Sequence, residues 1–313
     1  MKNTFPIFLW QALLILLLAP LVSGVIKKLK ARLQMRRGAS VWQPFYDLTK
    51  LFRKGMAISE HASWIFRVTP YVMFLTTLVV GLLVPTISAD VPLSLVGGVL
   101  AVIYLLALGR FFLALAGLDT GSAFGGMGSS REMTISALAE PAMMLSIFTV
   151  AIVAGSTNLG EMARVAASQP WRALNPSQIL ACTAMFLVLL AETGRIPVDN
   201  PATHLELTMI HEAMILEYSG PYLALIEWAA SMKQLVLMTL LINVFFPFGL
   251  SVDGTPASLA MALGLYLAKL LVLAVAVVLV ETTNAKLRLF RVPDLLSTGF
   301  VLALLALVFK FLF

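Results

Sequence analysis

Cysteine is almost missing from this chain: Cys182 is the single one in 313 residues. It can form no internal disulfide, and alone it holds neither a zinc ion nor an iron–sulfur cluster. It reads as a small apolar residue inside a hydrophobic run. Charge is also scarce: 12% of residues are charged and 60% are hydrophobic, with a mean hydropathy of +0.94. Such a balance excludes a soluble globular protein. There is no strand-like alternation of apolar and polar residues, which excludes a membrane barrel. No serine–histidine–acid set, metal-ligand spacing or nucleotide fingerprint occurs. The glycine-rich stretch 117–131, GLDTGSAFGGMGSSR, has five glycines but no Gly-Lys-Ser/Thr ending and follows no strand, so it is not a phosphate loop.

Long apolar runs fill the rest. A helix of about 20 residues crosses a hydrocarbon core of about 30 Å, and the runs predict spans at 5–26, 70–88, 94–116, 133–154, 177–192, 222–247, 258–281 and 294–313. The first is too long for a secretory signal and lacks its basic start and small-residue cleavage pattern. The expected fold is an all-α integral membrane protein of about eight transmembrane helices, forming a single membrane domain over 1–313.

The charges that remain are unevenly placed. Ten of the 22 basic residues lie in 27–69, against Asp47 and Glu60. The positive-inside rule puts this segment in the cytoplasm, and eight spans then put both termini outside. Arg131, Arg195, Lys286, Arg288 and Arg291 also fall on inner segments; Lys2, Arg164, Arg172 and Lys310 fall outside. Within the basic segment, Trp42, Phe45, Leu48, Phe52 and Met56 recur every three to four residues, with Asp47, Lys50, Arg53 and Lys54 opposite. That pattern predicts an amphipathic surface helix, held by lipid headgroups or serving as a docking ledge for a soluble partner.

Six of the 16 acids fall between residues 192 and 227: Glu192, Asp199, Glu206, Glu212, Glu217 and Glu227. His204 and His211 lie among them. The two histidines and Glu206 resemble a metal site only loosely; histidines among carboxylates fit proton handling better. Arg110, Glu132, Glu140, Lys233, Lys269 and Glu281 lie within or at the ends of spans. Each would cost roughly 2.5–3.5 kcal/mol at a helix centre, so they should face the interior and pair, or line water. Glu140 precedes Pro141, where a freed carbonyl and a bend are expected. It reads as a proton relay, or as the structural partner of Lys233 or Lys269. Arg110 and Glu281 are expected to snorkel or form salt bridges near inner helix ends. Glu192 and Arg195 are expected to pair across one turn. Asp119, Arg131 and Glu132 would anchor the glycine-rich connection by salt bridges.

The stretches RRGASVWQPFYDLTKLF (36–52), GLDTGSAFGGMGSSREM (117–133), AETGRIPVD (191–199), EYSG (217–220) and MKQL (232–235) occur in one order. Together they resemble the membrane subunit of formate hydrogenlyase, hydrogenase-4 and related group 4 [NiFe] hydrogenases, itself similar to subunit 1 of respiratory complex I. The chain departs from that pattern at Gly38-Ala39, where the family has Gly-Pro, and at Ala202 and His204, where acids are common.

The resemblance implies a non-catalytic subunit without a cofactor of its own, in the cytoplasmic (inner) membrane. It would anchor a hydrophilic arm of hydrogenase large and small subunits and a ferredoxin-like iron–sulfur subunit, which carry the [NiFe] centre and the iron–sulfur clusters. It would join that arm to antiporter-like membrane subunits. The lipid bilayer is a further partner, and no nucleic acid is expected. The expected ion path combines Glu140, Glu192, Asp199, Glu206 and Glu217, which the resemblance implies, with Glu212, Glu227, Lys233 and Lys269, ionisable groups of the same inner segment and of the spans. The arm-facing surface comprises Arg36, Arg37, Asp47, Lys50, Asp119, Arg131 and Arg195. Two alternatives are a quinone-reducing complex I-like enzyme and a passive anchor in a hydrogenase-related complex.

Overall fold

The computed structural model describes residues 4–88, 98–168, 175–200, 209–251 and 255–312. Among them the chain is helical: α1 (Thr4–Leu33), α2 (Gln43–Phe52), α3 (Trp64–Leu83), α4 (Val99–Asp119), α5 (Ala123–Ala154), α6 (Leu159–Ser168), α7 (Pro176–Glu192), α8 (His211–Ile215), α9 (Gly220–Phe245), α10 (Pro256–Thr283) and α11 (Val292–Leu312). Seven are long and apolar enough to cross a membrane, and the 17-residue α7 is the shorter apolar eighth. The helix starts follow local chemistry. Pro44, Pro176, Pro221 and Pro256 occupy first turns, where no backbone donor is lost. Ser63, Ser122 and Thr255 cap α3, α5 and α10 with their side-chain oxygens. Gly155 ends α5 in the left-handed conformation.

A helix lies in every expected span, with residues 94–97 and 313 outside the described residues, but several ends move. α1 continues past residue 26 to Leu33 and carries Lys27, Lys28 and Lys30 on its last turns. The basic stems extend the helix beyond the apolar run that defined the expected span. α5 begins at Ala123 rather than 133 and runs through Pro141 without interruption. The expected loop 117–131 is therefore mostly helix, and only residues 120–122 join α4 to α5. Packing explains this reversal. A Cβ at Gly125 would stand 2.2 Å from the Gly117 carbonyl oxygen, so the glycines serve a close helix crossing rather than a turn. Ala139 and Ala142 on α5 and Ala181 and Ala184 on α7 are also fully buried, small residues of the kind that allow helices to approach closely.

The surface helix α2 is present but shorter than the pattern over 42–56. Only Pro44 and Leu48 are buried, while Trp42 and Met56 lie outside it and are exposed. Phe52 meets the edge of Trp228 on α9. Two short helices, α6 and α8, had no counterpart among the expected elements.

Side-chain links gather the C-terminal ends of α1, α4, α7 and α10 with the N-terminal ends of α3, α5 and α9 at one end of the bundle. Asp119 accepts from the backbone of Ser63 at 2.7 Å and of Phe66 at 3.4 Å, adding a second cap to α3. Ser219 exchanges hydrogen bonds with the backbone of Ala57. Tyr218 stacks on Phe66 with ring centroids 3.9 Å apart and donates to its carbonyl at 3.0 Å. Burial pushes the Tyr218 phenol above the ordinary tyrosine range, so it stays a neutral donor. This is the basic end of the molecule.

Candidate functional site: a buried ion chain under a polar cavity

Arg110 lies on α4 and is 5% exposed. Its Nη2 is 3.2 Å from Glu140 Oε1 on α5, and its Nη1 is 3.0 Å from Glu192 Oε1 at the end of α7. The other oxygen of Glu192 is 2.8 Å from Lys233 Nζ on α9. Two cations and two carboxylates thus alternate across four helices. The set is neutral, and each fully buried charge touches an opposite one, which is the condition for keeping charges away from water. Glu140 ends the chain with a third of its side chain exposed.

Two expectations for these residues change. Glu140 pairs with Arg110, not with Lys233 or Lys269, because α4 rather than α9 or α10 lies beside it. Glu192 does not pair with Arg195: the helix ends at Glu192, and the chain turns so that Arg195 points to α10. There Arg195 Nη1 is 3.1 Å from Glu281 Oε1, and its Nη2 donates to Gln234 Oε1 at 2.8 Å. Lys30 takes the other Glu281 oxygen at 2.9 Å, and Ser23 donates to Gln234. Glu281 is therefore in salt bridges, one of the two alternatives expected for it.

Asp199 is 3% exposed. It accepts from Lys286 Nζ at 2.7 Å and from the backbone of Asn200 and Ile210. It fastens the two flanks of 201–208 to each other and to the connection between α10 and α11. Glu206 and His204 lie outside the described residues.

A cavity of about 190 Å3 opens between these groups at the basic end. Arg110, Glu132, Glu192, Glu227, Lys233 and His211 are among its lining residues, and Asp199, Glu212 and Arg195 reach it as well. Of the expected path, then, Glu192, Asp199, Glu212, Glu227 and Lys233 share one chamber, and Glu140 joins through Arg110. Glu217 is exposed and does not line it. Lys269 is separate too: its ammonium donates to Asn243 Oδ1 and the Phe246 carbonyl, at the far end of α9. Asn243 in turn donates to the carbonyls of Pro85 and Thr86.

The expected docking residues divide in the same way. Arg36, Arg37, Asp47 and Lys50 are exposed at the basic end; Arg36 meets Gln34, and Asp47 accepts from Gln43. Asp119 is occupied by the start of α3. Arg131 donates to the Met209 carbonyl at 2.7 Å, and Arg195 faces inward. Asp119, Arg131 and Glu132 form no salt bridge with one another or with other described residues, because backbone groups of neighbouring elements lie nearer to the first two. The expected path omits Arg110 and Glu132, and it omits His211 although histidines among carboxylates already point to proton handling. For Arg110 a signal existed, since an arginine inside an apolar span is itself a candidate.

The fold and site define a class: a polytopic helical membrane subunit with a charged chain beneath a polar chamber at its basic end. A family model described as NADH dehydrogenase matches residues 6–311, and the chain belongs to that family. It is 37% identical over 300 residues to hydrogenase-4 component C of Escherichia coli (strain K12), covering 96% of this chain and 93% of that protein. It is 36% identical over 298 residues to formate hydrogenlyase subunit 4 of the same organism, covering 95% and 96%. Against the NADH-quinone oxidoreductase subunit designated H of Rubrobacter xylanophilus it is 28% identical over 240 residues, covering 74% and 71%. In fold it is similar to a chain of the membrane-bound sulfane sulfur reductase, an archaeal respiratory membrane complex. The TM-score is 0.83 at 20% identity, with 97% and 99% of the two chains covered.

Proposed function

We propose that the chain is the membrane-anchoring and coupling subunit of a group 4 [NiFe] hydrogenase complex of the formate hydrogenlyase or hydrogenase-4 type. Near full-length similarity to subunits bearing those names supports this reading. The single observation that carries the coupling role is the chain Glu140–Arg110–Glu192–Lys233, which runs from the polar chamber to the flank of the bundle. A passive anchor has no use for four intramembrane charges, each costing about 2.5–3.5 kcal/mol to insert. A proton taken up at the chamber would change the charge of one carboxylate and shift the pairing of its neighbours, so that Glu140 responds at the flank.

In this reading the basic end is cytoplasmic, both termini are outside, and the membrane is the inner one. The exposed Arg36, Arg37 and Lys50 on and beside α2 contribute to the docking surface for the hydrophilic arm. The [NiFe] centre and iron–sulfur clusters reside in the large, small and ferredoxin-like subunits of that arm. The antiporter-like membrane subunits continue the path beyond Glu140, carrying protons or sodium ions. The test is Glu140→Gln in the intact complex, reconstituted in vesicles. Subunit and metal content should be unchanged while ion translocation per turnover is lost. Wild-type translocation in this variant refutes the coupling role and leaves an anchor.

A further inference from the structure

His211 opens α8, and the backbone around it is fixed from three sides. Arg131 on α5 donates to the Met209 carbonyl at 2.7 Å. Asp199 accepts from the Ile210 amide at 3.3 Å. A Cβ at Gly128 of α5 would lie 2.9 Å from both the Ile210 carbonyl oxygen and Ala213 Cβ, so α5 and α8 are in tight contact. The imidazole itself, half-buried, has no hydrogen bond or ion pair with a described residue.

The ring lines both the 190 Å3 chamber and a second cavity of about 10 Å3. The polar side chains around the small one are Glu132, Glu192, Asp199 and His211. A single water needs a space of about 10–15 Å3 and two to four polar partners, and this cavity offers both. Asp199 is already engaged by Lys286 and two amides. Glu192 is engaged by Arg110 and Lys233 but keeps lone pairs free. The Glu132 carboxylate, like the imidazole, has no hydrogen bond or direct ion pair among the described residues, although its charge acts on Arg110 across the cavity. His211 and Glu132, neither in direct contact with a partner, therefore border one water-sized space beside the innermost carboxylate of the ion chain.

We infer that His211 is the proton-uptake residue of the ion chain, passing protons from the chamber through one bound water to Glu192, with Glu132 as the second acceptor on that water. The inference rests on the coupling role proposed above and names the group that feeds it. Imidazole suits the task because it can take a proton on one ring nitrogen and release one from the other. The proton from the chamber forms an N–H bond at the first nitrogen; the N–H bond at the second breaks toward the water. The water passes one of its own protons to the carboxylate and is restored. Ring rotation or tautomer exchange returns His211 to its starting state, and no electron moves.

The test uses the intact complex in vesicles with three substitutions: His211→Ala, His211→Gln and Glu192→Gln. Losing a proton-transfer group should slow proton-coupled turnover about 100-fold. That slowing is expected in both His211 variants, with subunit content unchanged. Added imidazole should restore turnover in His211→Ala and leave Glu192→Gln unaffected. Glutamine keeps size and hydrogen bonding but does not titrate, so His211→Gln decides the matter if His211→Ala fails to assemble. Wild-type turnover in His211→Gln with Glu192→Gln impaired overturns the uptake role and leaves the coupling chain intact. Wild-type turnover in both overturns the uptake role, and the coupling chain falls with it if translocation per turnover is also wild-type. A slowed His211→Ala that imidazole does not rescue also overturns the uptake role.

Discussion

Arg110 decides the energetics of the site, because it is the one cation bonded to both carboxylates of the buried chain. Removing it leaves Glu192 with Lys233 alone and Glu140 with no cation. Breaking a buried pair from one side costs about 3–5 kcal/mol, since the surviving charge stays buried. Arg110→Leu should lower stability by about that amount, read as a fall in the denaturation midpoint of the purified complex in detergent. Glu140→Gln should cost less, because Arg110 then keeps its second carboxylate, Glu192, 3.0 Å away. If the two variants melt alike, the ranking is wrong. The types of residue in this cluster were legible in the sequence; the pairings were not. Arg110 and Glu192 are 82 positions apart and are brought together only by helix packing. Local spacing suggested Glu192 with Arg195, a pairing that the end of α7 forecloses.

At the scale of elements, the spans were legible because the lipid imposes length and apolarity on each segment independently. Their ends were not, since lysine stems prolong α1 beyond its hydrophobic run. The glycine-rich stretch misled for a related reason: glycine disfavours helix in isolation, yet two crossing helices need it where their backbones touch. Gly125→Ala tests this. The added methyl would meet the Gly117 carbonyl oxygen at 2.2 Å, so α4 and α5 must part. The expected result is reduced accumulation of assembled complex, quantified by blue-native gel, while Gly126→Ala, whose nearest contact is 3.9 Å, assembles normally. The start of α3 offers a milder case. Asp119→Ala removes the acceptor for Ser63 and Phe66 and should cost about 0.5–2 kcal/mol, the range for a lost helix cap, in the same melting assay.

For the whole molecule, the distribution of basic residues gives a topology that can be checked directly. In a Cys182→Ala background, a Lys50→Cys variant should react with a membrane-impermeant maleimide in inverted vesicles and not in intact cells. The reverse labelling would turn the bundle over and place the chamber outside. Docking of the arm on this face should also slow the reaction, a comparison that needs only the complex with and without its hydrophilic subunits. One fastening at this same end has an evolutionary corollary. Asp199 grips the amide of Ile210, eleven positions on, while Lys286 holds the same carboxylate from another connection. The closing knot is thus made at the base of the intervening segment and is indifferent to how many residues it encircles. Doubling the length of chain between two fixed points adds only about 0.6 kcal/mol of closure entropy. Kindred sequences are therefore free to gain or lose residues between these two anchor points at little entropic cost.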